Sequence, residues 1–131
     1  MSLSVDAALL DQARRGPVDD AAFVACVRES LPYAWQVVSE VVARMRATDT
    51  GFADNQTPPP DEQARGQLLR ALASDAMRGA LERHFGARLA FQNCHRVAAF
   101  EPGAAGTADR YAAFTSPRAQ LLNQSPELVD C

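Results

Sequence analysis

Cys94 and His95 are adjacent in the run Asn93-Cys94-His95-Arg96, the one place where a thiol adjoins an imidazole, and the chain's other histidine, His84, stands shortly upstream. A thiol beside an imidazole points first to nucleophilic catalysis. That chemistry needs a thiolate of lowered pKa, a base in reach of it and a third group to orient the base, for which Asn93 is available. Metal binding is the second option, with His84, Cys94, His95 and Cys131 as donors. Their spacing matches no finger or ribbon pattern and there is no Cys-x-x-Cys, so neither a metal nor a cofactor is expected. Successive residues of a strand point to opposite faces, which keeps His95 from serving Cys94 as base. The favoured reading is therefore plain: Cys94 is a small buried apolar group and His95 a hydrogen-bonded residue. Cys94, His84 and His95 stand as the candidate reactive or ligand site if the protein is an enzyme or a metal protein.

The elements that would position these residues begin at Pro58-Pro59-Pro60. Three prolines end the preceding segment, and Pro60 suits the first turn of a helix whose dipole is met by Asp61 and Glu62. Apolar residues then recur at helical spacing from Leu68 and Leu69 through Leu72, Met77 and Leu81 to Phe85, and Gly86 stands where a left-handed residue would stop the helix. Ser74 and Asp75 would recap it midway, which leaves one kinked helix or two short ones open. Residues 87–100 alternate loosely and read as a strand, with an Ala-rich helix as the competing reading.

Upstream, Ser4 is expected to cap a first helix that ends at Gly16-Pro17, and Asp19 or Asp20 to cap a second carrying Phe23, Cys26, Val27 and Leu31 on one face. Pro32 ends that helix or, from a Ser30 cap, starts a third with the stripe Trp35, Val38, Val41, Val42 and Met45. Residues 48–60 form a loop of turn formers. Asp54, Asn55, Gln56 and Thr57 are its candidate binding residues, set against the blander reading of a solvated crossover pinned by Phe52. Residues 101–106 are a breaker segment. The tail beyond, with Tyr111, Phe114, Leu121, Leu122, Leu128 and Val129, is too apolar for a solvated linker and is expected to dock on its own domain or on a partner, with a short helical turn over 119–123.

A length of 131 residues fits one core. The reading divides it into a helical domain, 1–102, and a docked tail, 103–131. With 47% hydrophobic and 22% charged residues, no long apolar run and no basic leader, the composition is that of an ordinary globular protein, expected in the cytoplasm and away from membranes. Three widely spaced cysteines argue for reduced thiols. All 13 basic residues are Arg, which with the Ala content reflects a GC-rich coding sequence. A net charge of −3 disfavours nucleic acid, although Arg65, Arg70, Arg78, Arg83, Arg88 and Arg96, set against Asp61, Glu62, Asp75 and Glu82, make the central segment mildly basic and keep weak nucleic-acid binding as an alternative. Amphipathic helices, Arg without Lys and an apolar tail suit a protein interface. Arg70, Arg78, Leu121 and Leu122 are its candidate residues.

Over residues 53–98, from Ala53-Asp54-Asn55-Gln56 to Arg96-Val97-Ala98, and through most of the chain, the sequence resembles a family of small actinobacterial proteins of unknown function. The resemblance implies a bacterial, cytoplasmic source and brings no catalytic residue. The expected fold is mainly α: four to five short helices around Phe23, Val27, Leu31, Trp35, Val38, Val42, Leu69, Leu72, Met77, Leu81 and Phe85, with one short strand or hairpin after the central helix. The expected function is a noncatalytic protein-interaction or regulatory module that forms homo-oligomers or holds a protein partner.

Overall fold

Asp and Ser caps write most of the helix boundaries. In the computed structural model, which describes residues 2–55 and 57–123, Asp6, Asp19, Asp61, Ser74 and Ser116 each accept a backbone N–H in the first turn of a helix. These helices are α1 (Ala7–Arg15), α2 (Asp20–Ser30), α4 (Glu62–Leu72), α5 (Asp75–Phe85) and α7 (Pro117–Leu122); α3 (Pro32–Ala47) and α6 (Thr107–Phe114) lack a side-chain cap of their own. The α1 cap is Asp6 and not Ser4, whose N–H instead donates to Ser30 Oγ at 2.8 Å. Ser30 thus does not cap α3. Its role falls to Gln67 of α4, whose Oε1 accepts from Tyr33 N at 2.7 Å and Ala34 N at 3.3 Å, so a helix that opens on Pro32 is capped from across the core.

The central helical segment is two helices, and it starts at Glu62 behind the Asp61 cap, just beyond the prolines. Ser74 restarts the chain as α5, and Gly86, at φ 64°, ends it in the left-handed conformation that glycine adopts without steric cost. Arg78 seals the junction by donating from Nη1 to Leu72 O at 2.9 Å.

Three strands follow the period-2 signal: β1 (Phe52–Asp54), β2 (Arg88–Gln92) and β3 (Arg96–Phe100), antiparallel in the order β1-β3-β2. Residues 87–100 are therefore a hairpin, and the expected structureless loop contributes an edge strand. The mainly α expectation holds, but with seven helices and a three-stranded sheet among the described residues.

That sheet divides the molecule into layers. Leu89, Val97 and Ala99, with Ala53 of β1, face a core filled by Val27, Leu31, Val38, Val41, Val42, Met45, Leu68, Leu72 and Leu81. Trp35, Phe23 and Phe85, expected in the centre, are half-buried at its margin, and Leu69 is 45% exposed. The helical period admits both Leu68 and Leu69, and only Leu68 reaches zero exposure. On the opposite sheet face, Phe100 is fully buried against Phe52, Tyr111 and Phe114, with ring centroids 5.3, 5.3 and 5.9 Å away. Such pairs add about 0.5–1.5 kcal/mol each beyond area burial. They hold α6, and with it residues 107–114 of the expected tail, on the sheet. Gly51, at φ 69°, permits the entry to β1: a Cβ there would lie 2.9 Å from Ala104 Cβ. Among the described residues no helix is long and apolar enough to cross a membrane.

Candidate functional site

The thiol and the imidazoles come first. Cys94 lies in the β2–β3 turn, where Asn93 and Cys94 both take positive φ (51° and 57°), and it is disulfide-bonded, contrary to the expectation of reduced thiols. Cys26 is a free, buried thiol in α2. His95 is 5% exposed, with Nδ1 2.6 Å from Asn93 O and its own carbonyl accepting from Asn55 Nδ2 at 2.6 Å. His84 is exposed at the end of α5 and packs against Trp35 and Phe85, at 5.2 and 4.8 Å between ring centroids. His84 and His95 are thus held by different partners on different elements, each by contacts that shape the fold. Among the described residues no group of three or more His, Cys, Asp or Glu side chains is placed to hold a metal.

Of the loop candidates, Asp54 and Asn55 are tied into the sheet. Asp54 is 6% exposed on the sheet face that α6 covers, and its Oδ2 accepts from Arg96 Nε at 2.8 Å and Nη2 at 2.5 Å. Asn55 extends the β1 ladder by one residue: its Oδ1 accepts from Val97 N at 2.7 Å while its backbone N donates to Val97 O at 3.1 Å. Thr57 borders a surface groove with Tyr33 and Glu40, and Gln56 lies outside the described residues. Arg70 is exposed on α4, and Arg78 is committed to the α4–α5 junction. Leu121 and Leu122 are 75% and 66% exposed on α7. The four candidate interface residues therefore sit on three elements, α4, α5 and α7.

A cleft of about 530 Å³ opens where α6 and α7 cross the sheet. The period-2 register brings Phe52 of β1, Gln92 of β2 and Arg96 of β3 onto its floor. Arg110 and Phe114, a helical turn apart on α6, form one wall; Arg118 and Leu122, likewise spaced on α7, form the other, with Asn123 at the end. Arg96 is anchored by Asp54 and lies 5.4 Å from the Phe114 ring centroid. The side chains of Arg110 and Arg118 enter no ion pair or hydrogen bond among the described residues. The α7 wall is fastened by amides: Asn93 Nδ2 donates to Asn123 O, Gln120 Nε2 donates to Asn93 Oδ1, and Asn123 Nδ2 donates to Gln92 Oε1 at 2.7 Å. Gln92 Nε2 donates to Phe114 O.

The cleft offers apolar side chains, a cationic rim and amide groups. Among the described residues its lining holds no thiol, imidazole, hydroxyl nucleophile or carboxylate. The described residues thus form a mainly α domain with a small antiparallel sheet and a cleft beside it. The chain belongs to the family described as NucS shadow ORF, whose model, KH_NucS_shadow, matches residues 1–131. No curated protein and no solved structure matches it.

Sequence reasoning missed the cleft because its residues come from five elements. The one local signal was the pair of turn-spaced couples, Arg110 with Phe114 and Arg118 with Leu122, in a segment read as a wrapping tail.

Proposed function

We propose that the protein is a noncatalytic interaction module that receives a protein segment in the α6–α7 cleft. The observation that carries this reading is the pairing of an apolar lining, Phe52, Phe114 and Leu122, with two arginine side chains that have no partner among the described residues. Such a surface favours an extended chain with apolar anchors and carboxylates, because arginine gives bidentate carboxylate contacts and the aromatic floor supplies buried area. The alternative of a cysteine or histidine enzyme draws no support from a disulfide-bonded Cys94, a buried His95 and a His84 packed on Trp35.

An actinobacterial, cytoplasmic setting and a homo-oligomeric state belong to the same proposal; the composition, Arg without Lys and rich in Ala, is what supports the first. The family description names a reading frame in the shadow of NucS and no activity. Detection of this chain's tryptic peptides in cells that carry the frame establishes that it is made, and consistent absence would remove the premise of any function.

Selection from a library of linear peptides on the immobilised chain tests the reading. Apolar peptides with acidic residues are expected, with binding at least tenfold weaker to Arg118→Glu. Recovery of no peptide, or of peptides indifferent to that change, would refute it.

A further inference from the structure

Resting on that reading, we infer that the Cys94 disulfide is a redox switch for the cleft, acting through the β2–β3 turn from which the α7 wall hangs. α7 has six residues and buries none of them, and Leu121 and Leu122 are 75% and 66% exposed. A helix this short is marginal by itself, and packing into a core does not place it. Hydrogen bonds do. Asn93 Nδ2 donates to Asn123 O, Gln120 Nε2 donates to Asn93 Oδ1 and Asn123 Nδ2 donates to Gln92 Oε1, so each runs to one of the two residues before Cys94. Through these bonds the turn positions Arg118, Ala119, Leu122 and Asn123, the share of the cleft lining that α7 and its cap supply.

Asn93 and Cys94 both have left-handed φ, 51° and 57°. Asparagine visits that region readily and cysteine does not, so Cys94 is the costlier residue of the pair. A hairpin turn with two such residues ordinarily places glycine second. Asn93 is secured by its carbonyl, 2.6 Å from His95 Nδ1, and by its bonds to α7; Cys94 enters a disulfide, and Cys26 remains free. The disulfide therefore sits at the least favourable residue of the turn. Its loss lets the backbone relax out of the left-handed region and carries Asn93 away from α7. In a cytoplasm, the setting proposed above, disulfides are rare and those present are usually transient, catalytic or redox-sensing. A dithiol reductant supplies two electrons and two protons: the sulfur–sulfur bond at Cys94 breaks, both of its sulfurs become thiols, and the dithiol becomes a disulfide. The oxidised protein keeps the cleft formed, and the reduced protein loses one wall.

The test compares the full chain before and after reduction by dithiothreitol, with opening of the bond followed by alkylation of Cys94. On reduction the amide resonances of Ala119 to Asn123 should move toward random-coil positions while those of α3 hold. Acidic, apolar peptides selected on the oxidised protein should then bind at least tenfold more weakly. Cys94→Ser should bind weakly in either condition. Cys94→Gly, which removes the bond and the backbone cost together, should keep the oxidised affinity in both. Unmoved α7 resonances would overturn the inference. So would a Cys94→Gly protein as weak as Cys94→Ser, because the turn would then not transmit the change. Peptide affinity that is tight and equal in both redox states sinks the switch and leaves the interaction reading standing; an α7 that responds to reduction in a chain that binds no peptide refutes the interaction reading and keeps the coupling.

Discussion

Asp54 and Arg96, on neighbouring strands, are joined through one carboxylate oxygen that accepts from both Nε and Nη2 of the guanidinium, at 2.8 and 2.5 Å. Asp54 is 6% exposed, and Arg96 reaches from it toward the cleft to stand over Phe114. The pair fixes the one arginine of the cleft floor and leaves the two rim arginines to a ligand. Removing the acid strands a charge at the edge of the core. Asp54→Ala should lower the unfolding free energy by about 2–3 kcal/mol in urea denaturation. A loss below about 0.5 kcal/mol would show that solvent replaces the carboxylate.

Gln67 makes a comparable link in the other layer. Because α3 opens on Leu31-Pro32 with no cap of its own, Gln67→Ala leaves the Tyr33 and Ala34 amides without their acceptor. The expected loss is about 1–2 kcal/mol, measured by the same denaturation. A neutral substitution would mean that α3 is held by packing alone.

Leu68 to Leu72 give a contrast within one helix. Leu72 is 1% exposed and Leu69 45%. Leu72→Asp should abolish the folded state by placing a charge in the core, whereas Leu69→Asp should change stability by no more than about 0.5 kcal/mol. Circular dichroism of both variants decides it, and equal effects would contradict the placement of α4.

Thr107 Oγ1 is buried at the start of α6 with no hydrogen-bond partner among the described residues. An isosteric Thr107→Val change removes a desolvated hydroxyl and keeps the shape. Stability should be unchanged or raised by about 1 kcal/mol. A loss of similar size would reveal a partner for the hydroxyl.

Acid sensitivity has one identified surface contributor. The hydrogen bonds from Arg83 hold the Asp20 carboxyl below its ordinary pKa, burial opposes this, and the Arg83 charge adds to it. A carboxylate depressed in the folded state contributes stability above its unfolded pKa and loses it as pH falls through the folded value. Asp20→Asn should therefore be less stable than the wild type near neutrality and converge with it below about pH 4, with a small gap throughout because both side chains are exposed. A gap that persists unchanged into acid would assign the effect to packing.

The helical half of this fold was readable because its signals are local. Asp19, Ser74 and Gly86 act where their types predict, and Cys26, Val27 and Leu31 are buried as their spacing requires. What escaped depends on contacts far apart in sequence. β1 is three residues long and exists only because β3 pairs with it, forty-odd positions onward. Leu68 and Leu69 both fit the apolar stripe, and only the packing of α4 on α3 separates them. Proximity in sequence places Cys94 and His95 together, while the fold gives each a different partner.

The most direct test of the binding account is an amide chemical-shift titration of the full chain with an apolar, acidic peptide selected as above. The account predicts saturable shifts confined to residues lining the cleft, Ala113, Phe114, Ala119 and Asn123 among them, and their loss in the Arg110→Glu/Arg118→Glu variant. Shifts centred on His84 and Trp35, or saturable binding of a single-stranded oligonucleotide that the peptide cannot displace, would contradict it.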